Sequence, residues 1–330
     1  MKDHLMGVHH VTAIAGNPQE NLEFYLGLLG FRLVKKTVNF DDPGTYHLYY
    51  GDETGQPGTI LTFFPWPGAP RGQRGTGQIT VTSFSVPEDS LGYWIDRLNR
   101  FAVRFEGPRP RFNEEFITFY DPDGLKLELV AHAGKRESHP WKAGLVSEEH
   151  AISGIHSVTL AVANPEPTSR LLTETLNFPM LGREGERLRF QAGEGSSVGI
   201  IDVLSLPGEQ PGRISVGTVH HVAWRVGSFE KQQVWRQRIA ESGSHVTRVL
   251  DRNYFRSIYF HEPGGTLFEI ATDPPGFTFD EKVDKLGSGL MLPRWLEDRR
   301  TELEQILPQL NMPEFGEEMK TSLPTPNPAK

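Results

Sequence analysis

The chain has 330 residues, 34 basic against 42 acidic, a net charge of -8 and no cysteine. Disulfides, thiolate metal sites and a cysteine nucleophile are therefore excluded, and an acidic balance without a Lys/Arg run argues against nucleic acid as a partner. No apolar stretch approaches the ~18 residues of a membrane span, and Asp3, His4 and His9 interrupt the core a signal peptide would need, so a cytoplasmic location is expected. The length suits two domains of about 150 residues each. Its 34 glycines and 25 prolines, spread through the chain, suit many short strands joined by turns.

In chain order, the first predicted element is an alternating strand over Val8–Ile14. A helix follows. Asn17 can cap it, Pro18 suits its first position, Glu20 completes a capping box and Gly30 ends it, with Leu22, Tyr25, Leu26 and Leu29 as the apolar stripe. Three more strands, Phe31–Lys36, Thr45–Tyr50 and Gly58–Phe64, complete a βαβββ unit. The pattern returns. Gly7-Val8-His9, Asn17-Pro18 and Phe31 recur as Gly154-Ile155-His156, Asn164-Pro165 and Phe178 at an offset of 147. Trp94, Phe119, Pro122, Gly124 and Glu128 recur as Trp235, Phe260, Pro263, Gly265 and Glu269 at an offset of 141. Four βαβββ units result.

The expected organisation is α+β: a first domain over 1–133 (units 1–64 and 78–133), a second over 152–275 (units 152–206 and 217–275), and an extension over 276–330. Turn-rich connectors fall at Pro65–Gln78, Ala133–Ala151 and Pro207–Gly217. The extension carries one predicted helix, about Leu296–Ile306, and a Pro-rich end expected to be disordered.

Chemistry concentrates in three residues. Alternation along Val219–Val226 places His220, Val222, Trp224 and Val226 on the core face, so His221 points toward whatever the sheet cups. Glu269 interrupts the apolar strand Thr266–Ala271, where a carboxylate is costly unless paired or bound to metal. His10 stands in the first unit where His221 stands in the fourth. Two imidazoles and a carboxylate on rigid strands match the facial triad that leaves coordination positions open on Fe(II). The other units lack the set. The counterpart of His10 in the third unit is Ser157, and that of His221 in the second is Thr80, although Glu128 is kept as a salt-bridged or solvated remnant. In the first unit, Thr62 or Phe63 falls where a further carboxylate would stand. One complete site therefore requires the first unit to face the fourth, and the second to face the third. By alternation His9 and His220 face the core. His47, His132, His139, His150, His245 and His261 lack such partners and are expected at the surface.

The chain resembles the vicinal oxygen chelate superfamily, built from paired βαβββ units in the glyoxalase/bleomycin resistance/dioxygenase fold. More closely it resembles the ring-cleaving dioxygenases acting on hydroquinones. The resemblance is carried by Gly7–Ile14, Lys36–Leu48, Val219–Trp224, Asp251–Phe255 and Leu267–Phe277. It implies metal ligation by His10, His221 and Glu269, and catalytic or supporting roles for His9, His220, Arg252 and Tyr259. In those roles Tyr259 would hydrogen-bond the bound substrate, Arg252 would stabilise negative charge, and His9 or His220 would transfer protons. It further implies Fe(II), with Mn(II) accepting the same ligands, and O2 with a small aromatic substrate as partners, in detoxification or aromatic catabolism. A homo-oligomer is compatible with it. The alternatives are a glyoxalase-like lyase or isomerase with Zn(II) or Ni(II), a catechol-type extradiol dioxygenase using the third and fourth units, and a protein that sequesters aromatic drugs without chemistry.

Overall fold

The computed structural model describes residues 4–133, 139–193 and 199–313. Its first unit contains β1 (Val8–Ala15), α1 (Pro18–Glu23), β2 (Arg32–Asn39), β3 (Asp42–Gly51) and β4 (Ile60–Pro65). The second contains β5 (Gln78–Pro87), α2 (Leu91–Arg100), β6 (Phe105–Arg111), β7 (Glu114–Tyr120) and β8 (Lys126–His132). The third contains β9 (Gly154–Val162), α3 (Pro165–Arg170), β10 (Met180–Glu184), β11 (Arg187–Gln191) and β12 (Ile200–Ser205). The fourth contains β13 (Val219–Val226), α4 (Phe229–Glu241), β14 (Leu250–Asp251), β15 (Arg256–His261) and β16 (Leu267–Thr272).

The local signals act as expected. The Asn17 side chain accepts from the backbone of Gln19 and Glu20, Pro18 opens α1, and Gly30 takes φ +70° beyond its end. The helix then widens into a π turn over Phe24–Leu28, and Leu22, Tyr25, Leu26 and Leu29 are all buried.

Two eight-stranded curled sheets result, ordered β14-β15-β16-β13-β1-β4-β3-β2 and β10-β11-β12-β9-β5-β8-β7-β6. The first and fourth units share one sheet and the second and third share the other, which is the pairing the triad required. Each expected domain contributes one unit to each sheet. The sheets are cross-tied through the two connectors, where short bridges join Arg71 to Val216 and Gln73 to Arg213.

The extension is a strap. It carries 3-10 turns at Phe277–Phe279, Val283–Lys285 and Arg294–Arg299, and then α5 (Arg300–Ile306); the single predicted helix is thus a shorter α segment preceded by a 3-10 turn. Residues 314–330, where the Pro-rich end was expected to be disordered, lie outside the described residues. Lys35, fully buried on β2, reaches Asp280 at 2.6 Å and Glu281 at 2.5 Å, and the Lys36 carbonyl accepts from Met291 N. No helix among the described residues is long and apolar enough to cross a membrane.

A buried cation removed from two carboxylates leaves them uncompensated. Lys35→Ala is expected to cost about 3 kcal/mol in urea unfolding; a change below about 0.5 kcal/mol would show that the strap is not anchored there.

Candidate metal centre

The site begins with two irregularities in the central strand pair. β1 and β13 run antiparallel with Val8 opposite Trp224 and His10 opposite Ala223, so His9 is an extra residue in β1. Thr12 lies opposite His221 and Ala13 opposite Val219, so His220 is an extra residue in β13. Such bulges re-aim neighbouring side chains. Strict alternation placed His9 and His220 on the core face; the bulges instead set each beside its neighbour. His9 Nδ1 lies 2.9 Å from His10 Nδ1, and His220 Nδ1 lies 2.8 Å from His221 Nδ1.

His10 and His221, 211 residues apart in sequence, meet with their Nε2 atoms 3.4 Å apart. Glu269 Oε2 stands 2.9 Å from His221 Nε2 and 3.4 Å from His10 Nε2. All three side chains are buried. Ligands ~2.1 Å from one ion and at right angles stand ~3 Å apart, which is close to the size of this triangle. Glu269 Oε1 accepts from the Ser257 hydroxyl, while Oε2, facing the imidazoles, makes no well-formed hydrogen bond. A buried carboxylate oxygen left this way beside two inward-facing nitrogens fits a cation between them.

The electrostatics agree. Burial alone would raise the Glu269 carboxyl, but the facing His10 and His221 overcome it and hold it well below the usual range. Burial lowers His221 against the pull of Glu269. An imidazole presenting its Nε2 lone pair to an ion carries its proton on Nδ1 and donates it outward. The acceptors are His9 and His220, which must then be neutral. Burial, reinforced by His10, lowers His9 well below its ordinary value; burial and His221 bring His220 to about 3.

Around His10 and His221 lies a small cavity of about 30 Å³ lined by Asn39, Phe40, His47, Tyr49, Phe64, Arg252, Phe255 and Tyr259. Arg252 Nε donates to the Tyr259 oxygen at 3.2 Å, and its Nη2 pairs with Asp41 at 2.9 Å across the mouth. Burial and the charge of Glu269 push the Tyr259 phenol up. Arg252 and Tyr259 thus reach the cavity, while His9 and His220 stand behind the two imidazoles rather than in its wall.

The wall residues His47 and Tyr49 escaped sequence reasoning. His47, expected at the surface, is buried: its Nε2 lies 2.8 Å from Thr62 Oγ1 and its Nδ1 2.8 Å from the Tyr49 hydroxyl. Alternation along β3, with His47 and Tyr49 on one face and Leu48 and Tyr50 on the other, was the available signal. The choice between Thr62 and Phe63 is settled by register. Thr62 lies opposite Thr12 as Glu269 lies opposite Ala223, and Thr12 and Ala223 are each two residues beyond their strand's inward histidine. A hydroxyl therefore occupies the place a second carboxylate would take.

Among the described residues the other sheet lacks a matching site. His10 is replaced there by Ser157. Val81, which faces Thr159 as His221 faces Thr12, is the true counterpart of His221; Thr80, expected from the 141 offset, falls on the bulge instead. Arginines fill this second cup: Arg111 binds Glu128, and Arg187 and Arg189 bind Asp202. Beside them Glu114, His132 and His156 form a second cluster of metal-ligand type, so His132 is not the isolated surface residue expected. Its carboxylate is already shared between His156 at 2.8 Å and Arg189 at 2.7 Å.

The geometry has counterparts among known proteins. The model of the Glyoxalase/Bleomycin resistance protein/Dioxygenase superfamily matches residues 7–129 and 154–279, and the chain belongs to that superfamily. Within it, a Bacillus subtilis protein provisionally named ring-cleaving dioxygenase MhqO is 48% identical over 91% of this chain and 95% of its own. The chlorohydroquinone/hydroquinone 1,2-dioxygenase of Sphingobium indicum is 34% identical over 92% and 96% respectively. A Bacillus subtilis crystal structure, provisionally titled a dioxygenase, superposes with TM-score 0.91 at 47% identity, covering 95% of this chain and all of that one. Glyoxalase I of Zea mays, at 14% identity and TM-score 0.61 over 81% of this chain and 92% of its own, shares the fold.

His220 is expected to stay neutral from pH 8 down to about 4. On unfolding it recovers its ordinary affinity for protons, so the unfolded state binds more protons between about 3 and 6.5, and stability falls as pH drops through that window. The His220 ring proton should show no NMR titration between pH 5 and 8; a midpoint near 6.5 would contradict a neutral acceptor.

Proposed function

We propose that this chain is an Fe(II)-dependent ring-cleaving dioxygenase of the extradiol type, acting on hydroquinone-type aromatics, with His10, His221 and Glu269 as its metal ligands. The observation that carries this reading is the buried His10–His221–Glu269 triangle opening onto an aromatic-walled cavity. The names of the relatives support the reaction class, and one of them supports the hydroquinone substrate. Mn(II) suits the same donors.

When bound, the ion would supply open coordination positions for a substrate oxygen and O2, and would favour the phenolate over the phenol. The protein does the rest. Phe64 and Phe255 give the ring apolar walls and exclude water. Tyr259, whose oxygen already accepts from Arg252, offers its own proton to the substrate oxygen. The Arg252 guanidinium, near that phenol, stabilises negative charge developing there. His9 and His220 act as positioning residues, fixing the tautomers of His10 and His221 by accepting their Nδ1 protons; this replaces the proton-transfer role expected of them. Asp41, paired with Arg252, helps close the mouth. The proposed domain division is 1–133 and 152–275, with the working site built from the outer pair of units.

Thr62 distinguishes this reading from a glyoxalase-type lyase, since a second carboxylate from the partner unit would serve that chemistry and a hydroxyl stands in its place. Fe(II)-loaded protein should consume O2 with methylhydroquinone and leave the methylglyoxal–glutathione adduct unchanged. Uptake with catechol alone would shift the substrate class, and uptake with no phenol would overturn the dioxygenase reading. Glu269→Gln should lower iron affinity by more than the 10- to 100-fold typical of losing an outer partner, as measured by metal content after dialysis. Full iron with full turnover would remove Glu269 from the ligand set.

A further inference from the structure

The register of the site sheet pairs two tyrosines across the triad. Tyr259 on β15 lies opposite Glu269, and Tyr49 on β3 lies opposite Thr62. Because Thr62 occupies the place related to that of Glu269, Tyr49 is the counterpart of Tyr259 on the other wing of the cup. Both line the cavity. Their hydrogen-bonding states differ. The Tyr259 oxygen receives a hydrogen bond from Arg252 Nε at 3.2 Å, which leaves its phenol proton to be given away.

Tyr49 is wired the other way. The Thr62 hydroxyl donates to Thr12 Oγ1 at 2.9 Å, so its oxygen accepts from His47 Nε2–H at 2.8 Å. The His47 Nδ1 is then a bare acceptor, and the Tyr49 hydroxyl donates to it at 2.8 Å. With its only proton committed, Tyr49 can offer the cavity nothing but an oxygen lone pair. Burial, with Tyr259 and Glu269 nearby, pushes the Tyr49 phenol up, so it stays neutral and keeps donating to His47.

We propose that Tyr49 is the specificity-determining acceptor for the ring hydroxyl of the substrate that does not bind the metal, so that the cavity has a donor end at Tyr259 and an acceptor end at Tyr49. The inference rests on the dioxygenase reading above and adds to it the residue that distinguishes a ring with a second, free hydroxyl from one whose second oxygen is alkylated. A 4-methoxyphenol has no proton for Tyr49, and its methyl group would press against a buried lone pair. Such an analogue loses a hydrogen bond and leaves the acceptor unpaired.

The test compares methylhydroquinone with 4-methoxy-2-methylphenol on Fe(II)-loaded protein, by O2 uptake and by anaerobic calorimetric titration. Wild type should prefer methylhydroquinone by about tenfold or more in both readouts, the size of one net hydrogen bond. Tyr49→Phe should abolish that preference, raising KM for methylhydroquinone about tenfold with kcat within about twofold. His47→Gln, whose amide oxygen still accepts the Tyr49 proton, should keep the preference; His47→Leu, which frees that proton, should lose it. A preference that survives Tyr49→Phe, or a loss that falls equally on both compounds, overturns the proposal. If no phenol supports O2 uptake, the dioxygenase reading fails separately, and the anaerobic titrations still decide whether Tyr49 discriminates the two compounds.

Discussion

The antiparallel contact between β1 and β13 is the constraint on which the molecule is organised. It joins the first unit to the fourth, places His10 and His221 on facing strands, and makes one continuous sheet from chain segments more than 200 residues apart. A regular ladder would not suffice, because period-two alternation sends consecutive residues to opposite faces. The bulges at His9 and His220 lift that restriction, so each inward imidazole keeps a second imidazole beside its Nδ1. The requirements are that Glu269 remain ionised and the outer histidines neutral; the facing His10 and His221 hold Glu269 ionised against its burial, while burial, reinforced by the inner imidazoles, keeps His9 and His220 neutral.

The two sheets show what distinguishes an open cup from a filled one. They share topology, register, the bulges and even the carboxylate, Glu269 in one and Glu128 in the other. In the second cup Ser157 and Val81 stand where histidines would be, and arginine guanidiniums occupy the space between the strands, each satisfied by Glu128, Asp202 or Glu114. A buried carboxylate needs a positive partner. In one sheet His10 and His221 face that place; in the other the protein fills it with its own arginines. The Glu114–His132–His156 cluster belongs to this second arrangement, since Arg189 already neutralises its carboxylate.

Much of this was legible in the sequence. The repeats located four units, the His-His pairs and Glu269 marked the triad, and the requirement for one complete set predicted which units share a sheet. What escaped did so for physical reasons. A bulge adds one residue without changing composition, so the facing of His9 and His220 was read from an alternation the backbone does not keep, and Val81 was missed by one position in favour of Thr80. The choice between Thr62 and Phe63 depends on strand register, which only the pairing settles. His47 and Tyr49 carried the right alternation along β3, but a lone histidine beside a tyrosine has no motif to mark it; its meaning comes from Thr62 on the next strand.

Anomalous diffraction at the iron edge, from crystals of protein loaded anaerobically with Fe(II), tests the central claim most directly. The account predicts one strong peak, about 2.1 Å from His10 Nε2, His221 Nε2 and Glu269 Oε2. Iron found instead at Glu114, His132 and His156, or bound nowhere in stoichiometric amount, would contradict it.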